Sequence, residues 1–152
     1  MKILFGASWV ILLVVSTFIA LASVGSLFQA YGKSDEYLTR EYSTVQMKEQ
    51  GGEEAFKSFK ARRVTAATWA LAYALLAMAV VLVPYRRGER WAWWALFIAI
   101  GLSQILSMAR AITVGTTSGA GTAGALLAFT LLGLMAGTPR MFGNKDVTTP
   151  GE

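Results

Sequence analysis

The chain has 152 residues, 55% of them hydrophobic and 15% charged, with mean hydropathy +0.49 and formal net charge +5. Soluble domains carry about 25% charged residues, and the apolar residues here fall in blocks of membrane-crossing length, which argues against a soluble domain. Cys and His are both absent. That removes disulfides, thiolate and imidazole metal ligands, a Cys nucleophile and the usual general base, and a basic nucleic-acid binder would not be this apolar.

The first apolar block, residues 3–28, contains no charge. A bilayer core needs about 20 helical residues, so the block is long enough to span. A cleaved signal peptide is the rival reading, with Lys2 as a short basic start and Ala20-Leu21-Ala22 as a cleavage-like site. The block exceeds the usual h-region of about 7–15 residues, which favours a retained helix.

Residues 29–63 form the polar segment, with seven Lys/Arg against six Asp/Glu. Ser34 is placed to cap a helix with Asp35 and Glu36 in its first turn, and Leu38, Tyr42 and Val45 recur at helical spacing. Gly51-Gly52 predicts a break. Glu53-Glu54 then open a second helix with the sign its macrodipole favours, and Phe56 and Phe59 share one side of it.

The second span is expected over residues 64–84, closed by Pro84, because a proline disfavours helical geometry in its predecessor. The third is expected over 91–115 and the fourth over 119–137, followed by a polar tail, 138–152. Between the second and third, Arg86, Arg87 and Arg90 sit at headgroup level and run into Trp91, Trp93 and Trp94. Basic short loops mark the cytoplasmic side, and Trp and Tyr concentrate at membrane interfaces. The hairpin therefore puts both termini in the cytoplasm, with segment 29–63 and the Gly115–Gly119 turn outside. Six basic residues then lie inside (Lys2, the hairpin, Arg140 and Lys145) against seven outside, so this signal is not one-sided.

Arg110 is the only charge inside an expected span. It is five residues from Gly115, about 7.5 Å of helix, close enough to snorkel to the interface. One reading makes it an anchor or an ion pair, with Glu36 and Glu41 as candidate partners; the other makes it a ligand contact. Ser103, Ser107 and Arg110 share a helix face, with Gln104 adjacent. These polar groups either bond neighbouring helices or line a pocket. On the fourth span Ala120, Gly124 and Ala128, then Gly133 and Gly137, form a small-residue ridge, as do Ala66, Ala70 and Ala74 on the second. Such ridges let backbones approach, within one chain or between subunits. The glycine-rich 118–124 stretch has no following G-K-[ST] and is not a phosphate loop. All nine acids lie outside the spans, where solvated helix charge accounts for them. No catalytic residue, metal site or cofactor is expected.

The layout, and most sharply P-Y-R-R-G-E-R-W-A-W-W-A-L at residues 84–96, resembles small bacterial four-helix membrane proteins in the broad DoxX-like neighbourhood. The resemblance implies a four-helix bundle in a bacterial inner membrane and supplies no catalytic pattern. The expectation is therefore an all-α, four-span bundle with a partly helical polar segment, acting as a non-enzymatic accessory or self-associating subunit. Its partners would be membrane lipids and a membrane protein or a second copy of itself. The alternative is a lipid- or hydrophobic-ligand-binding protein with a pocket near Arg110, Ser107 and Gln104; a membrane enzyme ranks last.

Overall fold

The computed structural model describes residues 2–31, 44–114 and 119–143. Five helices follow in order: α1 (Lys2–Tyr31), α2 (Thr44–Val80), α3 (Arg90–Leu96), α4 (Ser103–Val114) and α5 (Ala120–Phe142). Two π-helical stretches, Val81–Tyr85 and Phe97–Leu102, extend α2 and join α3 to α4. Four segments are long and apolar enough to cross a membrane: Gly6–Tyr31, Gly51–Tyr85, Arg90–Ala109 and Ala120–Phe142. The fold is an all-α four-helix bundle of multi-pass membrane type. The Ser34 cap, Leu38, Tyr42 and Lys145 lie outside the described residues, as does the Val45 side chain.

Gly52 breaks α2 as its neighbours predict, with φ 73° and ψ 172°, values open to glycine and costly for other residues. Glu53 begins the long helix beyond it and pairs with Lys57 one turn on, at 3.1 Å, both side chains well exposed. Phe56 is buried and Phe59 half-buried.

Pro84 does not end the second span. It lies inside the π-helical stretch, and the helix runs on to Arg87. A proline lacks the N–H of the α-helical ladder and crowds the preceding turn; one wider turn accommodates it. The stop comes at Gly88, at φ 81°. Gly88 N–H donates to Tyr85 O at 3.0 Å and Glu89 N–H to Pro84 O at 3.1 Å. These are the paired bonds of a Schellman cap, with glycine in the left-handed position. Pro139 likewise sits within α5, which continues to Phe142, so the helix takes in the first residues of the expected tail.

α1 packs along both α2 and α5, and α4 packs along α5. α3 holds the end of α2 near the hairpin, but beyond it α2 and α4 separate and barely touch among the described residues. The two middle spans thus diverge from Gly88 towards the other end. The core is built from Leu12 and Val15 of α1, Ala77, Val81 and Tyr85 of the second span, Leu96 and Ile100 of the third, and Leu134 of α5. Buried Ala67, Ala74 and Ala77 give α2 a small-residue face. Small residues allow close backbone approach where lipid supplies no hydrophobic drive between helices.

Candidate functional site

Among the described residues, polar side chains that bond from one span to another gather at two places. The first is the hairpin end. Ser8, on α1, and Tyr85, at the end of the second span, are both fully buried. Ser8 Oγ donates to the Gly133 carbonyl of α5 at 2.7 Å. Each hydroxyl has one proton, so with Ser8 donating to Gly133 O, Tyr85 Oη donates to Ser8 Oγ at 2.5 Å, with Gly133 O a more distant acceptor at 3.4 Å. Gly137 makes this possible. Along a helix the residue four positions on shields a carbonyl, and here that residue has no side chain. A Cβ on Gly137 would overlap Tyr85 Oη and Ser8 Oγ.

The same end carries further ties. Trp93 Nε1–H donates to Leu134 O at 3.0 Å, and Arg90 Nε–H to Met141 O at 2.8 Å. Arg86 stands over the Trp9 ring at 4.7 Å, and Arg90 over Phe142 at 5.8 Å, both within cation–π range. Trp93 stacks on Phe97 and meets Trp94 and Phe142 edge-on. Of the expected interface anchors, Arg86, Arg87, Arg90, Trp91 and Trp94 are exposed and Trp93 is half-buried. Trp93 and Arg90 reach inward to hold α5.

The second place is a cleft of about 350 Å³ at the opposite end, where α2 and α4 diverge. All four spans line it. Its polar wall comprises Ser23, Ser26, Arg63, Gln104 and Thr122; apolar wall includes Phe18, Ala67 and Leu126. Arg63 is half-buried at its edge. Its Nη2 donates to Gln29 Oε1 at 2.7 Å and its Nε to Ser26 Oγ at 3.3 Å. One turn of helix makes the position: Arg63 lies where the charged start of the second span meets its Ala-rich part, beside the polar end of α1. Among the described residues the lining includes a cation and no carboxylate. A guanidinium presents five donors in a planar fork suited to phosphate and carboxylate.

The expected site residues divide. Gln104 lines the cleft. Ser103 is half-buried and donates to Ile100 O at 2.9 Å, within the π-helical turn. Ser107, on the same expected face, is exposed. The Arg110 side chain lies outside the described residues, as do Glu36 and Glu41. Tyr73 adds a buried hydroxyl beside Ser103.

The α5 ridge also divides. Gly133 and Gly137 are buried, Gly133 against Leu12 of α1; Gly124 faces Met108 of α4, Ala120 is half-buried and Ala128 is exposed. On α2, Ala74 is buried, Ala70 half-buried and Ala66 exposed.

Arg63, Ser26 and Gln29 were hidden in the sequence because Arg63 is one of four cations within seven residues, and nothing local separates it from exposed Arg62. Ser8 had a signal. Ser8, Ser16 and Ser23 fall within one broad arc of α1, with Leu12 and Val15 between them, and all five are buried. Among the described residues no group of three or more potential metal ligands comes together. Comparisons with protein-family models, curated proteins and solved structures find no match.

Proposed function

We propose that this protein is a non-enzymatic membrane protein that binds an anionic membrane amphiphile in the cleft between its diverging spans. The observation that carries the reading is the composition of that cleft: a guanidinium held at its edge by Ser26 and Gln29, hydroxyl and amide groups beneath, and hydrocarbon walls. Ligand sites of this size are mostly apolar, with a few placed polar groups that fix orientation. A phosphate or carboxylate headgroup meets Arg63, and the apolar part lies against Phe18, Ala67 and Leu126. The protein sits in a bacterial inner membrane with its basic hairpin and both termini on the cytoplasmic side, so the cleft opens to the outer leaflet. Association through the α5 ridge is the weaker reading, because Gly133 and Gly137 are used inside the chain.

The test is lipid selection. The protein is reconstituted in nanodiscs of equal anionic and zwitterionic phospholipid, transferred to mild detergent, and the retained lipid identified by native mass spectrometry. The wild type retains anionic lipid preferentially, Arg63→Gln loses the preference, and Arg87→Gln, at the exposed hairpin, keeps it. Identical lipid retention by wild type and Arg63→Gln rejects the reading.

A further inference from the structure

A second cavity, also of about 350 Å³, lies between α1 and α5 on the hairpin side of the cleft, and its exposed wall is wholly apolar. Val10, Val14, Ala125 and Phe129 form its sides. Phe18, Thr122 and Leu126 line both cavities, so the two lie end to end with these residues between them.

The depth of the combined track is the informative quantity. Along α1 it runs from Ser26, beside Arg63, through Phe18 to Val10. Sixteen residues at the helical rise make about 24 Å. One leaflet of hydrocarbon is about 15 Å deep, half of a ~30 Å core. Val10 adjoins Trp9, whose ring lies under Arg86, an aromatic–basic pair of the kind found at membrane interfaces. The track therefore has a cation at one interface and ends near the other, with no polar wall over its second half. A glycerophospholipid anchored at Arg63 reaches the midplane with its chains; the Val10–Val15 half lies past that point.

We infer that the occupant is an anionic amphiphile with a single flexible chain longer than one leaflet is deep, of the isoprenyl phosphate type. Its headgroup meets Arg63 and its chain follows α1 past Phe18 into the α1–α5 groove. The inference rests on the amphiphile reading of the cleft. It adds the chain's length and route. The chain gains little by leaving lipid for protein, since both are hydrocarbon, so selection comes from headgroup charge and from shape along the groove.

The experiment maps where the chain ends. The protein in zwitterionic nanodiscs receives farnesyl monophosphate, geranylfarnesyl monophosphate or phosphatidylglycerol, each with a terminal diazirine on its chain, and labelled residues are located by mass spectrometry. The farnesyl probe labels near Phe18 and Leu126; the geranylfarnesyl probe, whose longer chain matches the track, labels Val10 and Val14; the phospholipid labels no deeper than the farnesyl probe. Ala125 is exposed, so Ala125→Phe fills the groove without disturbing the core. It lowers geranylfarnesyl labelling at Val10 and Val14 severalfold and leaves farnesyl labelling unchanged. Three outcomes overturn the inference: geranylfarnesyl labelling confined to the farnesyl positions, equal labelling of Val10 by phosphatidylglycerol, or indifference to Ala125→Phe. If farnesyl labelling still requires Arg63 in those cases, the cleft reading survives alone. If Arg63→Gln leaves every probe unchanged, both fall.

Discussion

The two ends of the bundle use polar side chains in opposite ways. At the hairpin end Ser8, Tyr85, Trp93 and Arg90 are engaged with one another or with α5 carbonyls. At the other end Ser23, Ser26, Arg63 and Gln104 surround a space. The geometry of the middle spans accounts for the difference. They are pinned together by the Gly88 cap and separate with distance from it, so polar groups near the cap find protein partners and those far from it line a cleft. In hydrocarbon a hydroxyl or amide needs a partner. Where the partners are packed between helices the groups add stability; where they border an open cleft they can also turn to a ligand. The two ends should therefore respond differently to substitution, one in stability and the other in binding.

The largest effect is expected at Gly137. The Cβ of Gly137→Ala would overlap Tyr85 Oη and Ser8 Oγ, so both must move and the Gly133 carbonyl loses its second donor. Overpacking costs about 1–3 kcal/mol, and each interhelical hydrogen bond in a membrane adds about 0.6 kcal/mol. Reversible unfolding in mixed micelles should show a loss of about 2–4 kcal/mol on those two scales. A triple variant that adds Ser8→Ala and Tyr85→Phe removes the overlapping oxygens and should regain part of the loss. If it regains nothing, the close approach of α1, α2 and α5 at this point is misassigned.

A smaller loss is expected from Tyr85→Phe, which keeps the ring in the core and removes one hydroxyl. Ser8 retains its bond to Gly133 O. The cost should lie at about 0.6–1.7 kcal/mol, the measured range for hydrogen bonds between membrane helices. The same unfolding assay decides it, and a neutral result would mean that the Tyr85–Ser8 bond adds nothing to the hairpin clasp.

Much of this architecture was legible in the residues, and the remainder was hidden for a physical reason. The four spans follow from block length, and the Gly52 break and the helix opened by Glu53 from local chemistry. Facing directions were harder. In a soluble helix polarity marks the outer side; here outward-facing Leu21 and Leu132 are as apolar as core-facing Leu12 and Leu134. Only small and polar residues report the inner face, and buried Ser8, Ser16, Ser23 and Thr130 do so. Pro84 reads as a stop because a proline opposes an α-helical ladder, whereas a π-helical turn carries the chain past it. The same expectation of an α-helical ladder hides the Phe97–Leu102 stretch, which re-phases the third span before Ser103 and Gln104. Arg110 drew attention as the charge inside a span. Arg63, at the edge of one, turned out to sit where the helices part.

The smallest stability effect is expected where the ligand effect is largest. Arg63 touches Gln29 and Ser26 at a half-open edge of the bundle, with the Gln29 contact exposed. Partly exposed pairs of this kind contribute little because both partners can be solvated in the unbonded state. Arg63→Gln should therefore shift unfolding by no more than about 0.5 kcal/mol while abolishing the preference for anionic lipid. The long stem of the arginine covers apolar wall that glutamine covers less fully, so a small loss from packing is compatible with this. A loss as large as that of Tyr85→Phe is not. It would mean that Arg63 clasps α1 to α2 as Tyr85 clasps the second span to α1. The contrast between a structural end and a binding end would then disappear, because both ends would be held by the same kind of contact.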